Sequence, residues 1–95
     1  METTLEDIKN LVAHFSDETF GDDRPFTAPL YHLKNEVDSG IQTGEIEDFV
    51  DMQCLLLDAF RKRFPDVAAQ TLINLCKEKI EVIIPSRTWK KIGQL

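Results

Sequence analysis

The sequence predicts an all-α fold, a bundle of four antiparallel helices completed by oligomerisation. Four segments carry apolar residues at helical spacing, capping residues, proline or glycine bound each of them, and the one β-branched run has no second strand to pair with. Ninety-five residues are the length of one domain, so residues 1–95 are read as a single unit with its core over about 4–84 and a C-terminal tail at 85–95. A monomer of this size buries only about 60–65% of its unfolded surface, which is why a second chain is a natural supplement.

The first helix is expected over about 4–15, because Leu5, Ile8, Leu11, Val12 and Phe15 share one face and Thr3 with Glu6 forms a capping box. Residues 16–25 are rich in turn formers and read as a loop, anchored by Phe20 and Phe26. Thr27 caps the second helix, Pro29 falls in its first turn, and Leu30, Leu33, Val37 and Ile41 form its inner stripe. Gly40 and Gly44 bracket a tight reversal. The third helix, about 45–63, is apolar almost all round and so should be central, with Arg61-Lys62-Arg63 suiting the negative end of its dipole. Pro65-Asp66 restarts the chain, and Val67, Ala68, Leu72, Ile73, Leu75, Cys76 and Ile80 mark a fourth helix. The run Ile80 to Ile84 reads as a helix end meeting Pro85, in preference to an unpaired strand.

Acidic residues outnumber basic ones 17 to 11, for a net charge of −6, and no basic patch interleaved with aromatics occurs, which argues against a nucleic-acid partner. Cys54 and Cys76, 22 residues apart in apolar runs, read as reduced core residues. The start METTLEDIKN lacks the basic and apolar character of a secretory signal, and no membrane-spanning run is present, so a cytoplasmic protein is expected.

The third helix places Asp48, Asp51 and Asp58 at successive offsets of three and seven, on one side of a helix that is otherwise nearly all apolar. A buried ionised carboxylate costs several kcal/mol unless a cation or donor pairs with it, so the stripe calls for a partner. Glu36 on the neighbouring helix can face Asp48 and Asp51, and oxygen donors without histidine or thiolate suit Mg²⁺ or Mn²⁺. The plainer reading has Asp48 as a first-turn acid, Glu36 on the surface and Asp58 paired with Arg61 or Lys62.

At these residues the chain resembles the all-α, MazG-like nucleoside triphosphate pyrophosphohydrolases, and most closely the short dATP/dGTP diphosphohydrolases found largely in phages and prophages. The resemblance runs through His14-Phe15-Ser16, Glu18-Thr19-Phe20-Gly21, His32-Leu33-Lys34-Asn35-Glu36, Glu47-Asp48-Phe49-Val50-Asp51, Leu55-Leu56-Leu57-Asp58-Ala59 and Arg87-Thr88-Trp89. It implies two acidic pairs, each three positions apart, that hold Mg²⁺ and a triphosphate. Glu36 matches the first member and Asp51 the last; Ser39 stands where a second glutamate is expected, and Asp48 where another glutamate is expected. Asp38 points about 100° away from Ser39 on an ideal helix and is a poor replacement.

The resemblance further implies release of pyrophosphate and a nucleoside monophosphate from a nucleoside triphosphate, with Mg²⁺ (or Mn²⁺) on Glu36, Asp48 and Asp51 and with Asp58 as a further ligand or water acceptor. Lys34, Lys79, Arg87 and Trp89 are the expected substrate contacts, Trp89 having a core or interface role as its plainer alternative. A homodimer or homotetramer is implied, in a host cytoplasm if the gene is a phage's. The rival reading, favoured by Ser39, is a module that binds nucleotide or a protein without turnover.

Overall fold

The computed structural model describes residues 2–83 and 85. Helix α1 spans Leu5–Phe20, α2 Thr27–Thr43, α3 Ile46–Arg63 and α4 Ala69–Glu78, and a π-helical turn, Lys79–Ile83, continues from α4. No strand occurs among the described residues, and the β-branched run is helical as far as it is described. The expected substrate contacts Arg87 and Trp89 lie outside the described residues.

Helix α1 starts one residue later than the Thr3–Glu6 pairing suggests. Thr4 is the cap: its Oγ1 accepts from the Asp7 amide at 3.1 Å, and its own amide donates to Asp7 Oδ2 at 2.9 Å. Glu6 is thereby released for a distant task. Its Oε1 accepts from the Ala69 amide at 2.8 Å and so caps α4, whose own N-cap, Ala68, has no polar side chain. Lys9 holds Glu6 at 2.8 Å and donates to the Val67 carbonyl at 3.2 Å, which ties α1 to the start of α4. Hydrogen bonding to Lys9, then to the Ala69 amide, keeps the Glu6 carboxyl below its ordinary value.

The expected loop at 16–25 begins late, because α1 continues to Phe20 before Gly21, at φ 90°, ends it. Ser16 and Asp17 are poor helix formers in isolation, yet both find partners on α3 that hold the extra turn. Thr27 is the first residue of α2 and not its cap; Phe26 occupies the cap position without a side-chain bond. At the other end Gly44 adopts the left-handed conformation, φ 62°, and turns the chain into α3. Gly40 does not bracket the reversal. It lies inside α2, where a Cβ would come within 2.5 Å of Met52 Cε, so its missing side chain permits the close approach of α2 to α3.

Helix α3 is the central element, packed most extensively on α2 and also on α1, while α4 packs on α1. The interior it organises is small and unusually polar. Among the described residues, Leu57, Ala59 and Ala69 are the buried apolar ones, with Pro29 also fully enclosed, and they share the interior with Lys9, Ser16, Asp48 and Asp58. The expected inner stripe of α2 is only partly enclosed: Leu33 is half-buried, Leu30 and Val37 are more than a third exposed, and Ile41 is 78% exposed. Ser39 and Thr43 bond to Asp48 and Gly40 abuts Met52, so polar and small residues of α2 take part in its contact with α3. Both cysteines are free, but Cys76 is exposed and Cys54 half-buried, so neither is the core residue its surroundings in sequence suggest. No helix among the described residues is long and apolar enough to cross a membrane.

Leu57 is wholly buried at the centre of this small core. Leu57→Ala is expected to cost about 3 kcal/mol, the usual range for a leucine deleted from a packed interior, measured as a lowered midpoint in urea unfolding.

Candidate functional site

Helices α1, α2 and α3 enclose a cleft of about 580 Å³, a size typical of small-molecule sites. One wall is apolar: Leu11, Val12 and Phe15 come from α1, with Phe20 at its end. Phe15 and Phe20 meet edge to face, ring centroids 6.4 Å apart, and the Arg24 guanidinium lies 4.7 Å above Phe20. The opposite wall is polar. From α2 come His32 and Glu36, one turn apart, with Nε2 to Oε1 at 3.4 Å; from α3 come Asp51, Cys54, Leu55 and Asp58.

Asp58 closes the cleft floor between α1 and α3. Its Oδ2 accepts from the Ser16 hydroxyl at 2.8 Å, and its Oδ1 accepts from Arg61 Nε at 2.8 Å. The same guanidinium reaches Asp17 through Nη1 at 3.0 Å and Nη2 at 2.8 Å, so one planar fork joins carboxylates of two helices. Lys62 stands 3.8 Å from Asp17 and donates to the Arg24 carbonyl at 3.1 Å, pinning the loop after α1. Hydrogen bonding to Arg61 holds the Asp17 carboxyl below its ordinary range. Burial by itself would lower the Arg61 guanidinium, but its bonds to Asp17 and Asp58 outweigh that and raise it.

A family model for dATP/dGTP pyrophosphohydrolases matches residues 8–94. The chain belongs to the dATP/dGTP pyrophosphohydrolase family. Neither the curated proteins nor the solved structures returned a match. Membership accords with the all-α architecture and supports a nucleotide pyrophosphohydrolase activity.

In this pyrophosphohydrolase-family chain the expected acids divide into two groups. Glu36, Asp51 and Asp58 line the cleft, whereas Asp48 is not among its lining residues. Asp48 is buried at the start of α3, where its Oδ2 accepts from the Glu45 amide at 3.1 Å and from the Thr43 hydroxyl, and the Ser39 hydroxyl reaches its Oδ1 at 3.4 Å. Ser39 thus stands beside Asp48 as a donor, at the position where a glutamate would have set two carboxylates side by side. The acidic face is only partly buried: Asp48 and Asp58 are, but Asp51 is open to the cleft. The pairing of Asp58 with Arg61, the plainer of the two readings of that residue, is present.

Lys34 is exposed on α2 and Lys79 is exposed in the π-helical turn; neither lines the cleft. The apolar wall and Ser16 are the contributors that sequence reading leaves out. Position 16 continues the helical face of Val12 by one turn, a signal outweighed there by the run of turn formers that follows.

The Arg61 clamp carries a pH signature. A carboxyl depressed in the folded state stabilises it above its ordinary value, 3.8 for Asp17, and that contribution disappears as pH falls through the depressed value. Urea unfolding followed from about pH 5 downward should therefore show a shallower acid loss of stability for Asp17→Asn than for the wild type.

Proposed function

We propose that the chain hydrolyses a purine deoxynucleoside triphosphate, dATP or dGTP, to the monophosphate and pyrophosphate, with a divalent cation at Glu36 and Asp51. The observation that carries this reading is the charge balance of the cleft. Its lining includes Glu36 and Asp51 but no lysine or arginine among the described residues, and a triphosphate brought against two carboxylates is repelled unless a cation lies between them. The donor chemistry fits Mg²⁺, which is commonly held by one or two carboxylates together with substrate phosphates and waters.

When bound, Mg²⁺ would supply electrophilic stabilisation of the phosphate oxygens and acidify a water. Glu36, oriented by His32, and Asp51 would hold the cation from two helices and, through it, the triphosphate end, while Leu11, Val12 and Phe15 shelter the nucleoside from water. In the reaction the oxygen of a water molecule bonds to the α-phosphorus, the α–β anhydride bond breaks, and pyrophosphate leaves. Asp48 braces the α2–α3 turn that carries Glu36 and Asp51 past each other. Arg87 is assigned to phosphate neutralisation, and Trp89 to base or interface contact, as the family resemblance implies.

Ser39 favours one alternative. A hydroxyl in place of a second carboxylate removes a ligand, and the chain then binds nucleotide without turning it over. Pyrophosphate release from dATP, dGTP, dCTP and ATP, with and without Mg²⁺, separates the two. Metal-dependent release, fastest with the purine deoxynucleotides and at least about a hundredfold slower in Asp51→Asn, is the expected result. Nucleotide binding with no release in the folded wild type would select the alternative.

A homodimer or homotetramer is the form in which the chain acts. Ile46, Phe49 and Val50 recur at helical spacing on the outer face of α3 and are 83%, 60% and 54% exposed, beside Ile41 across the turn. Apolar faces of this kind on a chain with so small a core are best covered by a second copy. Sedimentation equilibrium should give a dimer or larger species, and Phe49→Glu should shift it toward monomer; a well-folded monomeric wild type at micromolar concentration would exclude the assembly.

A further inference from the structure

The two walls of the cleft stand on separate helices: α1 packs on α3 and α4, and α2 packs on α3, while the Cα traces of α1 and α2 stay more than 8 Å apart among the described residues. The gap between the apolar wall and the carboxylate wall is therefore set by how each helix sits on α3. Helix α2 is seated by Gly40 against Met52 and by the bonds to Asp48. For α1 the corresponding device at the cleft is the Ser16–Asp58 bond and the Arg61 fork behind it.

We propose that Ser16, Asp58 and Arg61 are positioning residues that set this gap, and so govern how tightly the nucleoside half of the substrate is held, apart from the phosphate chemistry. Ser16 lies one turn beyond Val12 and next to Phe15, so a shift at Ser16 moves the apolar wall. Asp58 is seven residues, two turns, beyond Asp51 on the same side of α3, which makes the Ser16–Asp58 bond a direct strut between the wall and the carboxylate helix. Asp58 is 4% exposed and Ser16 3%, so water cannot replace a lost partner without opening the contact. The guanidinium of Arg61 engages Asp58 and Asp17 at once, a geometry that a lysine ammonium cannot reproduce.

This assignment rests on the nucleotide reading of the cleft. It is tested by comparing the wild type with Ser16→Ala and Arg61→Lys, well below the melting temperature of each, for dATP hydrolysis and for inhibition by pyrophosphate, a probe of the phosphate half alone. The expected result is a KM for dATP raised roughly tenfold, equivalent to about 1.4 kcal/mol, with kcat and the pyrophosphate inhibition constant nearly unchanged. Ser16→Thr, which restores the hydroxyl, should return KM toward the wild-type value. A purely structural role lowers the folded fraction and hence the apparent kcat while leaving KM alone, and that outcome overturns the proposal. Hydrogen exchange gives a second readout: amides of residues 11–20 should exchange faster in Ser16→Ala while those of α2 and α3 keep their protection, and unaltered exchange in α1 counts against it. A wild type that binds dATP without hydrolysing it refutes the hydrolase reading, and the same tenfold weakening in Kd then decides this one. If the wild type neither hydrolyses nor binds dATP, the proposal falls with the reading.

Discussion

The arrangement of this chain depends on one buried carboxylate. Asp58 lies inside α3 with 4% of its surface exposed, and an ionised group so placed costs several kcal/mol unless its oxygens are satisfied. Ser16 satisfies one oxygen from α1, and Arg61, on α3 itself, satisfies the other while its remaining nitrogens bind Asp17 of α1. The demand of a single side chain for partners therefore dictates where the last turns of α1 run, why that helix persists through a turn-forming stretch, and where the apolar wall of the cleft stands.

Polar contacts take this role because apolar packing within one chain is sparse. Among the described residues Leu57, Ala59 and Ala69 are the buried apolar ones beside Pro29, and hydrophobic burial is in any case not directional. Directional bonds from Glu6, Lys9, Asp48 and Asp58 supply the orientation instead, each linking an element to its neighbour. A polar interior of this kind also leaves aliphatic residues of α2 and α3 on the outside.

The two ends of the acidic stripe illustrate how one spacing serves different ends. Asp48, in the first turn of α3, finds a backbone amide and two hydroxyls and becomes part of a helix cap. Asp51, one turn on, meets no such donors among the described residues and lines the cleft with Glu36. Ser39 makes the difference at the first position, because a hydroxyl can donate to Asp48 where a glutamate would repel it.

Much of the fold and part of the site were legible in the sequence. Apolar spacing, Gly44 and Pro65 locate four helices because periodicity and backbone permissiveness are local properties, and the family resemblance follows from ordered short motifs that the match over residues 8–94 bears out. The same local rules misjudged the start of α1, the stretch after Phe15 and the inner face of α2. Capping at Thr4, the extra turn at Ser16 and the outward rotation of Ile41 are all settled by partners far away in sequence: Ala69 draws Glu6 out of the capping box, Asp58 holds Ser16, and Met52 meets Gly40. Sequence alone determines which residues can be helical and which are chemically able to serve a nucleotide; only the tertiary structure decides which carboxylates are consumed by donors and which remain open, because that depends on what each meets across a helix interface.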